Sequence, residues 1–319
     1  MAKFNTSEFT GKIKVDSKKV FKISLIVYAA ILIAGIVFGL IFGLSLDINF
    51  SGGTRIAYRY EGDIAEADFT AAVKEVADKE FTVSVNESMS GTKVYSIAFI
   101  GNDSMSSELQ SAITDKLNET FPDNSVEVYD SNSVSPTVAG SFFLKSLVAV
   151  LIAAALVVVY VGIRFKKIGG VTAAITALCA LVIDLMVTFV VCIIFRLQID
   201  SNYIAVVLTI LGYSLNDTIV CYDRVRENKK LYPGLTTEEN MNLSISGILT
   251  RNIVTSVTTS LAVLTIVVVS EIYGLSSLRT FAIPMTFGLL SGCVSSLFIS
   301  GPLWVYWQER RQAKKAKKA

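Results

Sequence analysis

Six stretches of this chain are each long and apolar enough to cross a bilayer, which rules out most of the folds otherwise open to 319 residues. A helix rises about 1.5 Å per residue, so a hydrocarbon core about 30 Å thick takes about 20 apolar residues. The windows are residues 23–46, 142–163, 168–195, 203–222, 248–270 and 281–307. Hydrophobic residues make up 52% of the chain, and the mean hydropathy is +0.55. The pattern predicts a polytopic α-helical membrane protein with six transmembrane helices. Lys18, Lys19 and Lys22 precede the first window, which is long for a signal core, and no small-residue cleavage site follows before Asp47. That window reads as an uncleaved signal anchor.

The basic residues set the orientation. They gather in residues 1–22, at Arg164, Lys166 and Lys167, in residues 223–247, and in the tail 308–319. The loops after the third and fifth windows carry one base each, Arg196 and Arg279. By the positive-inside rule both termini face the cytoplasm, and residues 47–140 face outward between spans 1 and 2, with spans 2–6 in residues 141–307. The outward segment holds sixteen acidic and six basic residues, the pattern of a soluble, non-adhesive surface. The four cysteines, Cys179, Cys192, Cys221 and Cys293, all lie in apolar windows, so no disulfide framework is expected. The chain has no histidine. It also lacks a nucleotide loop, a metal-ligand spacing and an activated nucleophile, so it reads as a non-enzyme with no cofactor, no metal and no nucleic-acid partner.

Residues 47–140 alternate strand and helix signals. Period-two runs cover 54–60, 81–86 and 93–100, with Ser90-Gly91 as a turn, and 125–130 closes the series. Helical spacing covers 63–79 and a run to Phe121 capped by Ser104 or Ser106. The order βαββαβ predicts a ferredoxin-like α+β domain on the outer side. Gly52 and Gly53 permit a tight exit from the first span, and Pro136 is expected to stop the last strand; both segments are turns or hinges. In the loop 223–247, the fourth helix continues past Asp223, Arg224, Arg226, Glu227 and Asn228 toward Leu231. Tyr232-Pro233-Gly234 breaks it, and Thr236 or Thr237 with Glu239 starts an amphipathic helix. The Lys-rich tail reads as disordered, enforcing topology.

Charges inside the windows are the candidate functional residues, because a carboxylate at mid-bilayer costs about 2.5–3.5 kcal/mol on insertion scales. Lys145 and Glu271 lie at outer ends and can snorkel. Asp217 lies about 9 Å inside the cytoplasmic end of the fourth span, and Arg251 about 5 Å inside the fifth, so the two can meet. Asn216, Ser214, Thr218, Asn252, Thr255, Ser256, Thr258 and Thr259 offer a polar lining. Asp184, about 24 Å along the third span, is more equivocal, with Thr176, Thr188 and Cys192 as the polar groups on nearby turns. An Asp217–Arg251 pair serves either as a helix lock or as the switch of an ion path.

Several runs resemble one family. Asn49-Phe50-Ser51-Gly52-Gly53-Thr54, Ser135-Pro136-Thr137-Val138, Gly212-Tyr213-Ser214-Leu215-Asn216-Asp217-Thr218, Tyr222-Asp223-Arg224-Val225-Arg226-Glu227-Asn228 and Arg251 with Thr255-Ser256 resemble the SecF branch of the SecD/SecF protein-export family, within the resistance-nodulation-division superfamily. The resemblance covers nearly the whole chain. It implies a partner SecD, the SecYEG translocon, a YidC-type insertase and unfolded secretory polypeptides, with H⁺ or Na⁺ as coupling ion at Asp217 and Arg251. Two motifs depart from the family pattern: Asn49 and Ser51 stand in a motif usually Asp-Phe-Thr-Gly-Gly, and Ile183 stands where a histidine usually precedes the third-span Asp. A passive scaffold and half of a small-molecule exporter are the other readings.

Overall fold

The computed structural model describes residues 16–77, 81–87, 93–100, 106–273 and 275–316. The Ser90-Gly91 turn, Ser104 and the lysines before residue 16 lie outside the described residues. In chain order the elements are α1 (Ser17–Phe42), the short α2 (Ile48–Ser51), β1 (Gly53–Tyr60), α3 (Glu66–Val76), β2 (Phe81–Glu87), β3 (Lys93–Ile100), α4 (Ser107–Thr120) and β4 (Glu127–Val134). Then follow α5 (Pro136–Arg164), α6 (Gly170–Ile194), α7 (Ser201–Leu231), α8 (Thr237–Tyr273), α9 (Ser276–Ser295) and α10 (Gly301–Ala316), the last two joined by a π-helical turn at Ser296–Ser300. Among the described residues six helical segments are long and apolar enough to cross a membrane: α1, α5, α6, α7, α8 and the composite α9–α10. The chain is a multi-pass membrane protein.

The segment between the first two spans is a ferredoxin-like α+β domain. Its antiparallel sheet runs β2-β3-β1-β4, with α3 and α4 supplying the crossovers of a split βαβ. Alternation in β1 turns Ile56, Tyr58 and Tyr60 inward, where they meet Phe69 of α3, Tyr95 and Ile97 of β3, and Ile113 and Leu117 of α4. Tyr95 stacks on Phe69 at 4.1 Å and donates its hydroxyl to the Ile64 carbonyl at 2.8 Å. Ser106 caps α4 by accepting the Leu109 N–H. The last strand extends past the expected 125–130 to Val134, because a register shift opposite Ala57 and Tyr58 carries it onward. Its residues 127–133 are all exposed, so it has no inward-outward alternation to read.

Pro136 does not stop that strand; it opens α5. Ser135 accepts the Val138 N–H as N-cap, and proline suits the first helical turn because its missing N–H has no partner there. The loop 223–247 is also more ordered than expected. Thr236 and Glu239 form a reciprocal capping box, each accepting the other's backbone N–H, at 3.2 and 2.9 Å. The helix they start is not separate from the fifth span but runs unbroken to Tyr273. The tail is helical to Ala316 rather than disordered: Trp304 and Val305 are buried in the core they share with Phe165, Tyr222 and Met241, and Gln308 donates to the Ile168 carbonyl at 2.7 Å.

Within the membrane bundle α6, α7 and the α9–α10 segment are the enclosed helices, while α1, α5 and α8 turn broad apolar faces outward. Close approach is set by small residues. A Cβ on Gly288 of α9 would lie 2.2 Å from Ile210 Cδ1 and 2.6 Å from Thr188 Cγ2, so only glycine fits that crossing. On α1, Gly35 packs as closely against Val190.

Candidate ion-coupling site

Two carboxylates end up inside the bundle, in different surroundings. Asp184, in mid α6, is fully buried. Ser291 of α9 donates to one of its oxygens at 2.6 Å; Ser214 of α7 and Ser295 of α9 donate to the other at 2.7 and 2.8 Å. Tyr28 of α1 donates to the Ser291 carbonyl at 3.0 Å. The expected polar neighbours are not its partners: Thr188 donates to the Leu185 carbonyl, and Thr176 bonds its own turn and Tyr222. Ser291 and Ser295 escaped sequence reasoning. Their spacing of four puts both on one helix face, and that was the signal available.

Asp217 is 3% exposed, in mid α7, with Ser256 Oγ of α8 at 3.5 Å. The expected Asp217–Arg251 ion pair is not formed. Arg251 is exposed on the outer face of α8 and makes no ion pair among the described residues, although its charge reaches Asp217. The reason is azimuth. Residues 252, 256 and 260 repeat at helical spacing on the buried face of α8, and position 251 lies about 100° around the axis from 252. Asn252 and Ser260 on that buried stripe each have a polar atom without a hydrogen-bond partner. Asn216 likewise belongs to the outer surface rather than to a lining beside Asp217. With Gly212, where a Cβ would have no neighbouring atom within 4 Å, it marks an outward face of α7.

The 223–228 motif clamps helix ends together. Asp223 bridges Arg164 at the end of α5 (3.0 Å) and Arg226 (2.7 Å), while Arg224 pairs with Glu227 at 2.7 Å. Asn228 is buried and donates to Ser244 Oγ of α8 at 2.9 Å. Beneath the α+β domain Gly52, Gly53 and Pro136 come together. Gly52 has φ +74°, and a Cβ there would lie 2.9 Å from Pro136 Cα, so the segments entering and leaving the domain touch. Arg55 of β1 reaches buried Asp47 at 3.3 Å, and the Asp47 N–H bonds the Ile199 carbonyl between α6 and α7.

Comparison with known proteins agrees with this architecture. Residues 112–310 match the family described as protein export membrane protein SecD/SecF, C-terminal. The protein translocase subunit SecF of Alicyclobacillus acidocaldarius is 32% identical over 292 residues, covering 89% of this chain and 90% of that protein. The protein translocase subunit SecDF of Bacillus subtilis is 33% identical over 313 residues, 97% of this chain but 40% of that protein. The crystal structure of SecDF from Thermus thermophilus, described as a translocon-associated membrane protein, superposes with a TM-score of 0.79 at 25% identity. The overlap takes in 93% of this chain and 39% of that one.

Proposed function

The chain belongs to the SecD/SecF family of protein-export membrane proteins, and we propose that it is the ion-driven half of a protein-translocase accessory complex. Its role lies in protein translocation. On this reading it pairs with SecD in the cytoplasmic membrane, next to a SecYEG-type channel, with both termini inside. The proton-motive force, acting through Asp217, then promotes outward movement of unfolded polypeptides.

The observation that carries the reading is the state of Asp217. It is an enclosed carboxylate with one neutral hydroxyl at hydrogen-bonding range and an arginine near it that forms no ion pair among the described residues. A helix lock would have the pair closed, since removing charges from water is offset only by good pairing geometry. An open pair suits a group that gains and loses charge while the guanidinium approaches and withdraws. The unpaired polar atoms of Asn252 and Ser260 on the adjoining stripe suit a hydrated route to it. Two features support a SecD partner: the relatives named SecDF are far longer than this chain, and the exposed Arg251 of α8 and Asn216 of α7 are groups that hydrocarbon would solvate poorly.

The test is Asp217→Asn in proteoliposomes containing the full chain, its partner and the channel. H⁺ and Na⁺ gradients are imposed separately while export of a secretory polypeptide is followed. Stimulation by the H⁺ gradient should vanish while assembly and export without a gradient persist. Unchanged stimulation would leave the passive scaffold as the function, and stimulation by Na⁺ alone would replace the proton as coupling ion.

A further inference from the structure

Asp184 is the most enclosed carboxylate of the bundle, and its surroundings are unlike those of Asp217. No cation among the described residues pairs with it; all three of its partners are neutral hydroxyls, from α7 and α9. The titratable groups nearest it are Tyr28 from α1 and Cys293 from α9, while α7 presents Ser214, with Asp217 one turn further on.

Three hydroxyl donors satisfy a charged carboxylate. The same cage also accommodates the acid. A serine hydroxyl rotates freely and both donates and accepts. When Asp184 carries a proton, its O–H donates to Ser214 or Ser295, and the displaced hydroxyl turns to another acceptor. For Ser295 that acceptor is in place, the Gly292 carbonyl at 3.4 Å. Either protonation state is therefore satisfied by hydroxyl rotation alone, without movement of a heavy atom. A carboxylate kept only for packing gains nothing from such tolerance, and an uncharged residue of like size would fill the space without the cost of a buried charge.

The cage is also connected. Ser214 bonds Asp184 and precedes Asp217 by three residues on α7, about 4.5 Å along the axis. Cys293, between Ser291 and Ser295 on α9, faces Ser256, the hydroxyl in contact with Asp217. The two carboxylates thus lie near one another in the bundle, one bonded by Ser214 of α7 and the other in contact with Ser256 of α8. Through Ser291 the cage touches Tyr28 of α1, the helix that leads into the exported domain.

We propose that Asp184, held by Ser214, Ser291 and Ser295, is a second proton-binding site in series with Asp217. Its use in transport rests on the ion-coupling reading above, but its titration does not. The experiment is infrared difference spectroscopy of the full chain in lipid nanodiscs across a pH series, following the C=O stretch of protonated carboxyl groups. Among the carboxyl bands of the wild type, one should belong to Asp184 and one to Asp217. Asp184→Asn should remove one and keep the other, and Asp217→Asn should do the reverse. Ser295→Ala should move the midpoint of the Asp184 band and leave the Asp217 band in place. A carboxyl region unchanged by Asp184→Asn would overturn the proposal. If that variant does not fold, Ser291→Ala and Ser295→Ala retain the carboxylate, and failure of both to move any carboxyl band overturns it equally. Loss of the Asp217 band's response with the Asp184 band intact would instead strike the proposed function.

Discussion

Tyr222 illustrates how one buried hydroxyl can hold three segments together. Fully buried, it lies 2.7 Å from Thr176 Oγ1 on α6 and 2.6 Å from Ser300 Oγ in the π-helical turn. Tyr222→Phe keeps the ring against Phe165 and Trp304 but leaves two hydroxyls short of a partner. The expected loss is about 1 kcal/mol, read as a lower unfolding midpoint in detergent; an unchanged midpoint would show that Thr176 and Ser300 re-pair locally. Asp200 gives a pH signature outside the bilayer. It caps α7 through the Asn202 and Tyr203 N–H groups and accepts from Thr280 at 3.0 Å. Burial pushes its carboxyl above the usual carboxylate range, and nearby Asp47 adds to this, against the opposing hydrogen bonds. The folded state then holds the proton more tightly than the unfolded chain. That contribution is present below the ordinary value of 3.8 and lost as pH rises through the folded value. Asp200→Asn, which still caps but cannot ionise, should flatten the dependence of thermal stability on pH between 3.8 and the folded value; an identical slope in both proteins would refute the assignment. At this scale the sequence exposed the intramembrane carboxylates themselves, since an Asp in an apolar window stands out. It hid their partners, because depth follows from residue counting along one helix, whereas contact depends on the rotation of each helix about its axis. Arg251 and Ser256 differ in just that respect.

Among the elements, α9 organises the bundle. It packs against α6, α7 and α8 at once, and its small residues decide how near they come. Gly292 lies so close to α7 that a Cβ would be 3.0 Å from the Ser214 Cβ, which keeps Ser214 within reach of Asp184. Gly288→Ala should overpack the α6–α7–α9 crossing by about 1–3 kcal/mol. Ile210→Val removes the atom nearest the new methyl, so the double variant should recover part of the lost thermal stability. Lack of recovery would place the strain at Thr188 instead. The helices and strands were largely legible as elements because hydrophobic period and caps are local: Ser106, Thr236 and Glu239 act as their positions predict. The breaks were less so. Pro136 reads equally as a strand end or a helix start, and only the N-cap bond from Ser135 separates the two. The ordered tail depends on tertiary contacts of Trp304, Val305 and Gln308, which no local signal records.

At the scale of the whole molecule, the exported domain and the bundle meet through a narrow, hydrogen-bonded neck. Leu46 and Ile199 form an isolated bridge, Asp47 links that bridge to Arg55 of β1, and Phe50 packs on Phe142 and Phe143 of α5. Asp47→Ala should leave both the domain core and the bundle intact while loosening their relation, so hydrogen exchange should rise at 45–55 and 197–200 and nowhere in β3; uniform exchange would show that the neck has no separate role. The opposite surface bears on assembly. Thr209, Gly212 and Asn216 recur along the outward side of α7 at membrane depth, and all three are exposed. A polar amide facing hydrocarbon is unfavourable, whereas a partner helix pressed on Gly212 would bury it. Gly212→Leu separates the two situations. A Cβ at this position meets open space, so the isolated protein should keep its unfolding midpoint or gain slightly from a better helix former. Recovery of the partner subunit with it after detergent extraction should fall several-fold. If recovery is unaffected while the midpoint drops, the face is internal to this chain's own packing, and the partner must bind elsewhere on the bundle.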